Sequence, residues 1–275
     1  MSDRYAVIGN PIGFSKSPLI HGRFAEMTGQ DIVYEAIEGP LGGFAGRIDA
    51  FRAAGAKGLN ITAPFKLDAY AYATEHSDSA RLAGAANCLK FEGDVVAAEN
   101  FDGVGLVRDI TVNLGVAMTG RRVLLLGAGG AVRGAVLPFL AEKPAELTLV
   151  NRTLPKAEAL ADQLPAGASV TVLSHEHLAN QTDGYDLVVN ATSASLRGEM
   201  PSLPGAVFRG ARLAYELAYG KGLTPFLKSA QREGVPQLAD GVGMLVEQAA
   251  EAFVWWRGIR PPTSGVIREL TVPLV

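Results

Sequence analysis

The chain has a single cysteine, Cys88, in 275 residues, so no disulfide can close within it and metal centres built from several thiolates are excluded. It has no excess of cations. The 25 Lys and Arg against 28 Asp and Glu leave a formal net charge of -3, and the basic residues are scattered rather than massed on one segment. Nucleic acid is therefore not an expected partner. Long apolar runs are also missing: the longest, around Val123 to Val132, is broken by glycine and too short to span a bilayer, and Met1-Ser2-Asp3-Arg4-Tyr5 has no apolar signal core. These absences point to a cytoplasmic protein that handles small molecules away from membranes; the expected assembly is a monomer or homodimer.

What is present is apolar material, 48% of residues, in short runs that alternate with helix-period segments. That alternation is the pattern of βα units on a mostly parallel sheet, and the length allows one or two domains. The first series has strands at Tyr5 to Gly9, Ile32 to Ala36, Gly58 to Ile61 and Val95 to Glu99, with helices at Pro18 to Thr28 and Gly42 to Ala54. A second series begins at Arg122, with strands at Val123 to Leu126, Leu147 to Asn151, Leu187 to Asn190 and Leu213 to Leu217, and helices from Ala131, Pro155 and Thr224. A last helical stripe, Val242, Leu245, Val246, Ala249, Phe253 and Trp256, comes too late for the second sheet and is expected to return to the first domain. The expected division is residues 1–102, completed by 239–275, and residues 103–238.

Within the second series, Val123-Leu124-Leu125-Leu126-Gly127-Ala128-Gly129-Gly130-Ala131 reads as a strand entering a glycine turn and then a helix. Gly127 allows the tight turn, Gly129 lets a pyrophosphate approach the backbone, and the helix from Gly130 points unpaired N–H groups at it. A dinucleotide fits there. Its adenosine end is read at the next strand, which closes on Asn151-Arg152-Thr153 rather than on the carboxylate that usually accepts from an NAD ribose. Arg152 offers a planar fork for a 2′-phosphate, and Lys156 adds a second cation where a helix start would otherwise disfavour one. NADP is favoured.

In the first series, Ser15-Lys16-Ser17-Pro18 reads as a helix start, with Ser17 as N-cap and Pro18 at N1. Ser15 lies outside that cap, and the two hydroxyls suit a small carboxylate. In Asn60-Ile61-Thr62-Ala63-Pro64-Phe65-Lys66 a strand end, a proline turn and a helix start place Lys66 where a helix dipole disfavours a cation. Reduction of a ketone needs a proton donor at the nascent alkoxide, and Lys66 is a candidate. Asp102, in Asn100-Phe101-Asp102-Gly103, reads either as a helix N-cap or as a site carboxylate. His175-Glu176-His177 invites a metal reading, but histidines two apart do not share a helix face, and a solvated connection is preferred. No metal is expected. His21 and His76 read as structural or exposed, and Trp255 and Trp256 as core and interface residues.

Together these pieces resemble the shikimate dehydrogenase family over nearly the whole chain. The resemblance is carried by Gly9-Asn10-Pro11, Ser15-x-Ser17-Pro18, Asn60-x-Thr62-x-Pro64-Phe65-Lys66, Asn87, Asp102-Gly103, Gly127-x-Gly129-Gly130-Ala131, Asn151-Arg152-Thr153, Asn190-Ala191-Thr192-Ser193, Tyr219 and Gly243-Met244-Leu245-Val246-Glu247-Gln248. It implies an N-terminal α/β substrate domain, a Rossmann-like NADP-binding domain, and a cleft that closes around both ligands. It implies that Ser15 and Ser17 bind the carboxylate of 3-dehydroshikimate or shikimate, with Asn60, Thr62, Lys66, Asn87, Asp102, Tyr219 and Gln248 around it. Lys66 and Asp102 would be the catalytic pair. NADP would be held by Gly127, Ala128, Gly129, Gly130, Ala131, Asn151, Arg152, Thr153 and Lys156, with Thr192, Leu217 and Gly241 near the nicotinamide half. Two positions depart from the family's pattern: Cys88 and Phe101 stand where threonine is common.

Three rival readings have sequence signatures of their own. A quinate/shikimate enzyme of broader specificity using NAD would be supported by an acidic residue near Asn151, and none is there. A non-catalytic module sensing NADP and a metabolite would be expected to lack Lys66 or Asp102. Methylene-tetrahydrofolate dehydrogenases share only the glycine-rich cofactor domain, and the Ser15/Ser17 pair argues for a small acid instead.

Overall fold

A computed structural model of the chain describes residues 2–168, 170–192, 194, 197–200 and 203–274; Ser193 of the Asn190 motif lies outside the described residues. The chain forms two compact α/β units, Met1–Gly105 with Val246–Arg268, and Leu106–Leu245 with Glu269–Val275. No helix among the described residues is long and apolar enough to cross a membrane.

The first unit is built on a six-stranded sheet of order β2-β1-β3-β5-β6-β4. Its strands are β1 (Asp3–Gly9), β2 (Ile32–Glu38), β3 (Ala56–Ile61), β4 (Glu75–His76), β5 (Cys88–Glu92) and β6 (Val95–Glu99). The sheet is mostly parallel: β1, β2, β3, β4 and β6 run one way, and β5 runs against them, antiparallel to β3 and to β6. The reason is local. Gly93, at φ 61, and Asp94 form a two-residue turn that pairs Glu92 with Val95, and a glycine-led two-residue turn closes an antiparallel hairpin.

Helices α1 (Ser17–Thr28), α2 (Phe44–Ala53), α3 (Lys66–Tyr72), α4 (Asp78–Ala83) and α5 (Asp102–Arg108) connect these strands or follow them. Gly29 ends α1 in the left-handed conformation at φ 64, which costs a glycine little. Ile8, Ile48, Phe51, Leu59, Phe65 and Leu89 share one buried cluster. From the far end of the sequence, α10 (Val242–Arg257) supplies Phe253 and Trp256 to this unit, and α11 (Ser264–Leu270) follows. Trp256 stacks on Tyr5 at 4.6 Å and donates to the Leu89 carbonyl at 3.0 Å. Gly58 must be glycine here, because a Cβ would meet the Trp256 indole and lie 2.9 Å from the Leu89 carbonyl oxygen.

The second unit has a wholly parallel sheet of order β12-β11-β10-β7-β8-β9, the doubly wound arrangement. Its strands are β7 (Arg122–Leu126), β8 (Glu146–Val150), β9 (Thr171–Leu173), β10 (Leu187–Asn190), β11 (Leu213–Glu216) and β12 (Gln237–Asp240). Val123 to Leu126 are fully buried, as a central strand covered on both faces requires. Helices α6 (Gly130–Ala141), α7 (Leu154–Ala161), α8 (His175–Ala179) and α9 (Pro225–Arg232) complete the unit. Thr224 caps α9 by accepting from the Leu227 amide at 3.3 Å, and Pro225 opens the helix.

Two isolated polar groups settle as structural ones. Cys88 is fully buried on β5, where burial and then the Glu99 carboxylate push its thiol well above the ordinary range. His21 is fully buried and stacked on Tyr34 at 4.1 Å. Neither of its ring nitrogens meets a hydrogen-bond partner among the described residues. Burial lowers its pKa to about 3, with the Asn60 side chain pulling the other way.

The folded protein therefore refuses a proton that the unfolded chain accepts below the ordinary histidine value of about 6.5, so this group destabilises the fold as pH falls from there toward 3. We expect His21→Leu to flatten the pH dependence of urea-unfolding free energy by up to about 1.4 kcal/mol per pH unit between pH 6 and 4. Parallel wild-type and variant pH profiles would contradict the neutral, buried assignment.

Candidate active site

Ser17 and Lys66 open helices of the first unit; the start of α3 is the one expected from the sequence, and the start of α1 is not. Lys16, not Ser17, takes the cap position of α1, with no side-chain cap bond. Ser15 has the local job instead: its Oγ accepts from the Ser17 amide at 3.3 Å. Ser17 is left buried at 7% exposure. Lys66 is the first residue of α3, after the proline turn that follows β3. Thr62 stands at the head of that turn, and Gly9 of β1 lies so close that a Cβ would be 2.5 Å from the Thr62 methyl.

The cation at this helix start has its anion. Lys66 Nζ donates to Asp102 Oδ2 at 2.5 Å, across 36 residues of sequence. Asp102 is the first residue of α5 and is 7% exposed. Its other oxygen, Oδ1, accepts from Asn87 Nδ2 at 2.7 Å. Both carboxylate oxygens are therefore engaged by side chains, and Asn100 Oδ1 accepts from the Asp102 amide at 3.2 Å.

Asn87 ties in further groups: its Oδ1 accepts from the Phe101 amide at 2.9 Å, and its Nδ2 reaches Gln248 Oε1 at 3.3 Å. Gln248, on α10, is pressed against α5 at Gly105, where a Cβ would be 2.6 Å from the Gln248 amide. Asn60 accepts from the Tyr34 hydroxyl at 2.7 Å, a contact that no sequence motif announces. Lys66, Asp102, Asn87, Gln248 and Asn60 thus form one polar cluster on the first unit. Phe101 packs edge-on to Trp255 at 5.7 Å. Tyr219 belongs to the second unit, after β11, and is 41% exposed.

The second unit carries a pocket of about 600 Å³ lined by Gly127, Ala128, Gly129, Asn151, Arg152 and Thr192, together with His175 and Arg197. Gly127 is held at φ 118 with the Ala191 carbonyl oxygen 3.2 Å from where a Cβ would stand, so the tight turn is a steric need. Gly129 and Gly130 have nothing within 4 Å of a Cβ, so packing does not require glycine at either position. Gly129 lines the pocket and is the cap residue of α6, with no side-chain cap bond to the first amides of that helix.

Asn151 Nδ2 donates to the Thr153 carbonyl at 2.8 Å, which shapes the turn that presents Arg152. Gly130 and Ala131 lie in the first turn of α6, Thr153 caps α7, and Lys156 is exposed on α7. Leu217 and Gly241 follow β11 and β12 side by side, too close for a Cβ on Gly241. His175 corrects the reading of a solvated connection. Ser174 caps a short helix there by accepting from the His177 amide at 3.1 Å, and His175 faces the pocket.

Three family models match along the chain: the shikimate dehydrogenase substrate binding domain at residues 7–89, shikimate / quinate 5-dehydrogenase at 110–197, and the shikimate 5′-dehydrogenase C-terminal domain at 241–271. The shikimate dehydrogenase (NADP(+)) of Dechloromonas aromatica is 54% identical over 275 residues, covering 100% of both chains. The chain belongs to the shikimate dehydrogenase family. The corresponding enzyme of Nitrosospira multiformis is 54% identical over 270 residues, 98% of each chain. Among solved structures, an Ael1 enzyme from Pseudomonas putida matches with a TM-score of 0.97 and 58% identity over 100% of both chains. A shikimate 5-dehydrogenase from Thermus thermophilus, crystallised with NADP(H) and shikimate, matches with a TM-score of 0.85 and 31% identity over 97% of each chain.

Arg152 lies on the lining of this pocket, and a guanidinium there has the geometry to pair with a 2′-phosphate. Arg152→Ala should raise the KM for NADP by about 10- to 100-fold, the worth of a lost charge-assisted pair. The KM for NAD should move little. Steady-state kinetics with both nucleotides measures the difference, and an equal rise for both would remove Arg152 from 2′-phosphate recognition.

Proposed function

We propose that this chain catalyses the reversible, NADPH-dependent reduction of 3-dehydroshikimate to shikimate, with Lys66 and Asp102 at the reacting hydroxyl. The observation that carries the site assignment is the geometry of the pair. Asp102 accepts hydrogen bonds on both oxygens, from Lys66 and Asn87, and so acts there as a carboxylate. In the proposed reaction Lys66 Nζ carries the proton that is transferred. That ammonium has three N–H donors, and the ion pair uses one of them.

Bound NADPH supplies the hydride. The residues of the chain do the rest. Lys66 Nζ gives a proton to the oxygen that becomes the hydroxyl, and in the oxidative direction the same nitrogen takes it back. Asp102 holds the Lys66 side chain in place and balances its charge, while Asn87 fixes the carboxylate plane. Ser15, Ser17 and Thr62 are proposed to receive the substrate carboxylate, and Asn60, Gln248 and Tyr219 its ring hydroxyls.

On the nucleotide side, amides at the start of α6 would face the pyrophosphate, and Arg152 the 2′-phosphate. The pocket fits such a ligand in size, in the open space at Gly129 and Gly130, and in the absence of a carboxylate at the end of β8. Thr153 and Lys156 extend the adenosine end, and Leu217 and Gly241 the nicotinamide end. Work in the cytoplasm is consistent with one buried, unpaired cysteine. A quinate-using enzyme is the alternative within the same chemistry.

One assay separates these readings: shikimate-dependent reduction of NADP, set against NAD, and repeated with quinate. No absorbance change with shikimate and NADP from folded protein would sink the proposal. Lys66→Ala should lower turnover by about 10²- to 10⁴-fold, the range for a lost general acid, with a much smaller change in the shikimate KM. A change confined to KM would make Lys66 a binding residue only.

A further inference from the structure

Glu216, the last residue of β11, is a fully buried carboxylate away from the lining of the nucleotide pocket. Its Oε2 accepts from Asn190 Nδ2 at 3.0 Å and from the Thr224 hydroxyl at 3.2 Å, and its Oε1 from the Ala218 amide at 3.4 Å. Asn190 closes the neighbouring strand β10 in direct register with Glu216, and it too is fully buried. At its other end, Asn190 Oδ1 accepts from the Thr192 amide at 3.1 Å and the Thr192 hydroxyl at 2.7 Å. The Thr192 hydroxyl in turn accepts from the Ala194 amide at 3.3 Å. Ala191, Thr192 and Ala194 line the pocket beside Gly127 and Arg152.

The chemistry allows this amide only one orientation. A carboxylate only accepts and a backbone N–H only donates, so the Asn190 nitrogen must face Glu216 and its oxygen must face Thr192. Reversing the amide would set donor against donor at Thr192 and leave a buried group unsatisfied. The polarity of the turn that meets the nucleotide is thus set by an ion on the adjacent strand.

We propose that Glu216 is a positioning residue for the nucleotide site, acting through Asn190 on Thr192. The assignment rests on the nucleotide reading of the pocket. Glu216→Gln offers one acceptor oxygen and one donor nitrogen to three groups that donate, which frees Asn190 to turn over. Asn190→Asp sets two carboxylates against each other. In the double variant E216Q/N190D the carboxylate and the amide exchange strands: the nitrogen of the new amide on β11 can donate to the new carboxylate on β10. The second oxygen of that carboxylate then accepts from Thr192, while the Thr224 hydroxyl can rotate to accept.

The test is equilibrium titration of NADP without substrate, followed by heat of binding, with the KM for NADP and for shikimate and the unfolding midpoint measured beside it. Each single variant should bind NADP about tenfold more weakly, the cost of one broken buried hydrogen bond, with the shikimate KM unchanged. The double variant should return to within about threefold of wild type, because the coupling is specific to the pair.

Wild-type affinity in E216Q, or a double variant that binds no better than the singles, overturns the proposal. So does a parallel loss of NADP and shikimate binding that tracks the unfolding midpoint, which is what a merely structural role gives. Should E216Q fail to fold, a double variant that regains the midpoint without regaining NADP affinity overturns it as well. A wild-type protein that does not take NADP overturns the nucleotide reading and this assignment with it, whereas wild-type binding beside an unaffected E216Q overturns the assignment alone.

Discussion

Burying a carboxylate is the constraint around which the first unit's site is organised. Asp102 is almost out of water, and an isolated charge in that position would be far too costly unless every oxygen were engaged. The engagement comes from two directions, Lys66 on α3 and Asn87 just before β5, and these lie far apart in sequence. Satisfying Asp102 therefore fixes the start of α3 relative to the start of α5. Asn87 cannot turn either, because its oxygen holds the Phe101 amide. The same hydrogen bonds that remove the penalty of burial engage one of the three donors of an ammonium, and the proposed reaction draws on the others.

The second unit uses a related device for a different end. There the buried acid orients an amide, and the amide orients the turn after β10. Parallel strands make this possible, because β10 and β11 end at the same level and bring Asn190 and Glu216 side by side. The strand order reverses between β7 and β10, and the crevice at such a reversal is where doubly wound sheets place their ligands. A hydrogen-bond network with one permitted polarity holds such a turn more firmly than apolar packing alone, since each misoriented group carries its own desolvation cost.

Much of this is legible in the sequence, for reasons that differ between elements. The glycine turn after β7 can be read because Gly127 is required by its own backbone and Gly129 is required by no neighbour at all. Strands β1, β3, β7 and β10 can be read because buried parallel strands are continuous apolar runs. Strand β4 spans only two residues and β9 three, below the length at which any period shows. The β5–β6 hairpin carries a signal of its own in Gly93-Asp94, the turn by which β5 runs against an otherwise parallel first sheet. Ser17 before Pro18 is a sound cap by local preference, but the cap falls one residue earlier, on Lys16, and Ser15 takes the local bond.

Pairings are the least legible feature, and these are what the site consists of. Lys66 taken alone is a cation at an unfavourable helix start, and Asp102 taken alone is a plausible cap. Only the sheet, which carries β3 and β6 to neighbouring positions around β5, brings the two side chains to 2.5 Å. His175 shows the converse: its spacing to His177 argues correctly against a shared helix face, yet its place at the nucleotide pocket depends on Ser174 opening a helix there, a tertiary outcome that two histidines cannot encode. Local sequence fixes what each residue can donate or accept, and topology decides which donor meets which acceptor. A buried acid narrows that second choice most, because it tolerates the fewest wrong neighbours.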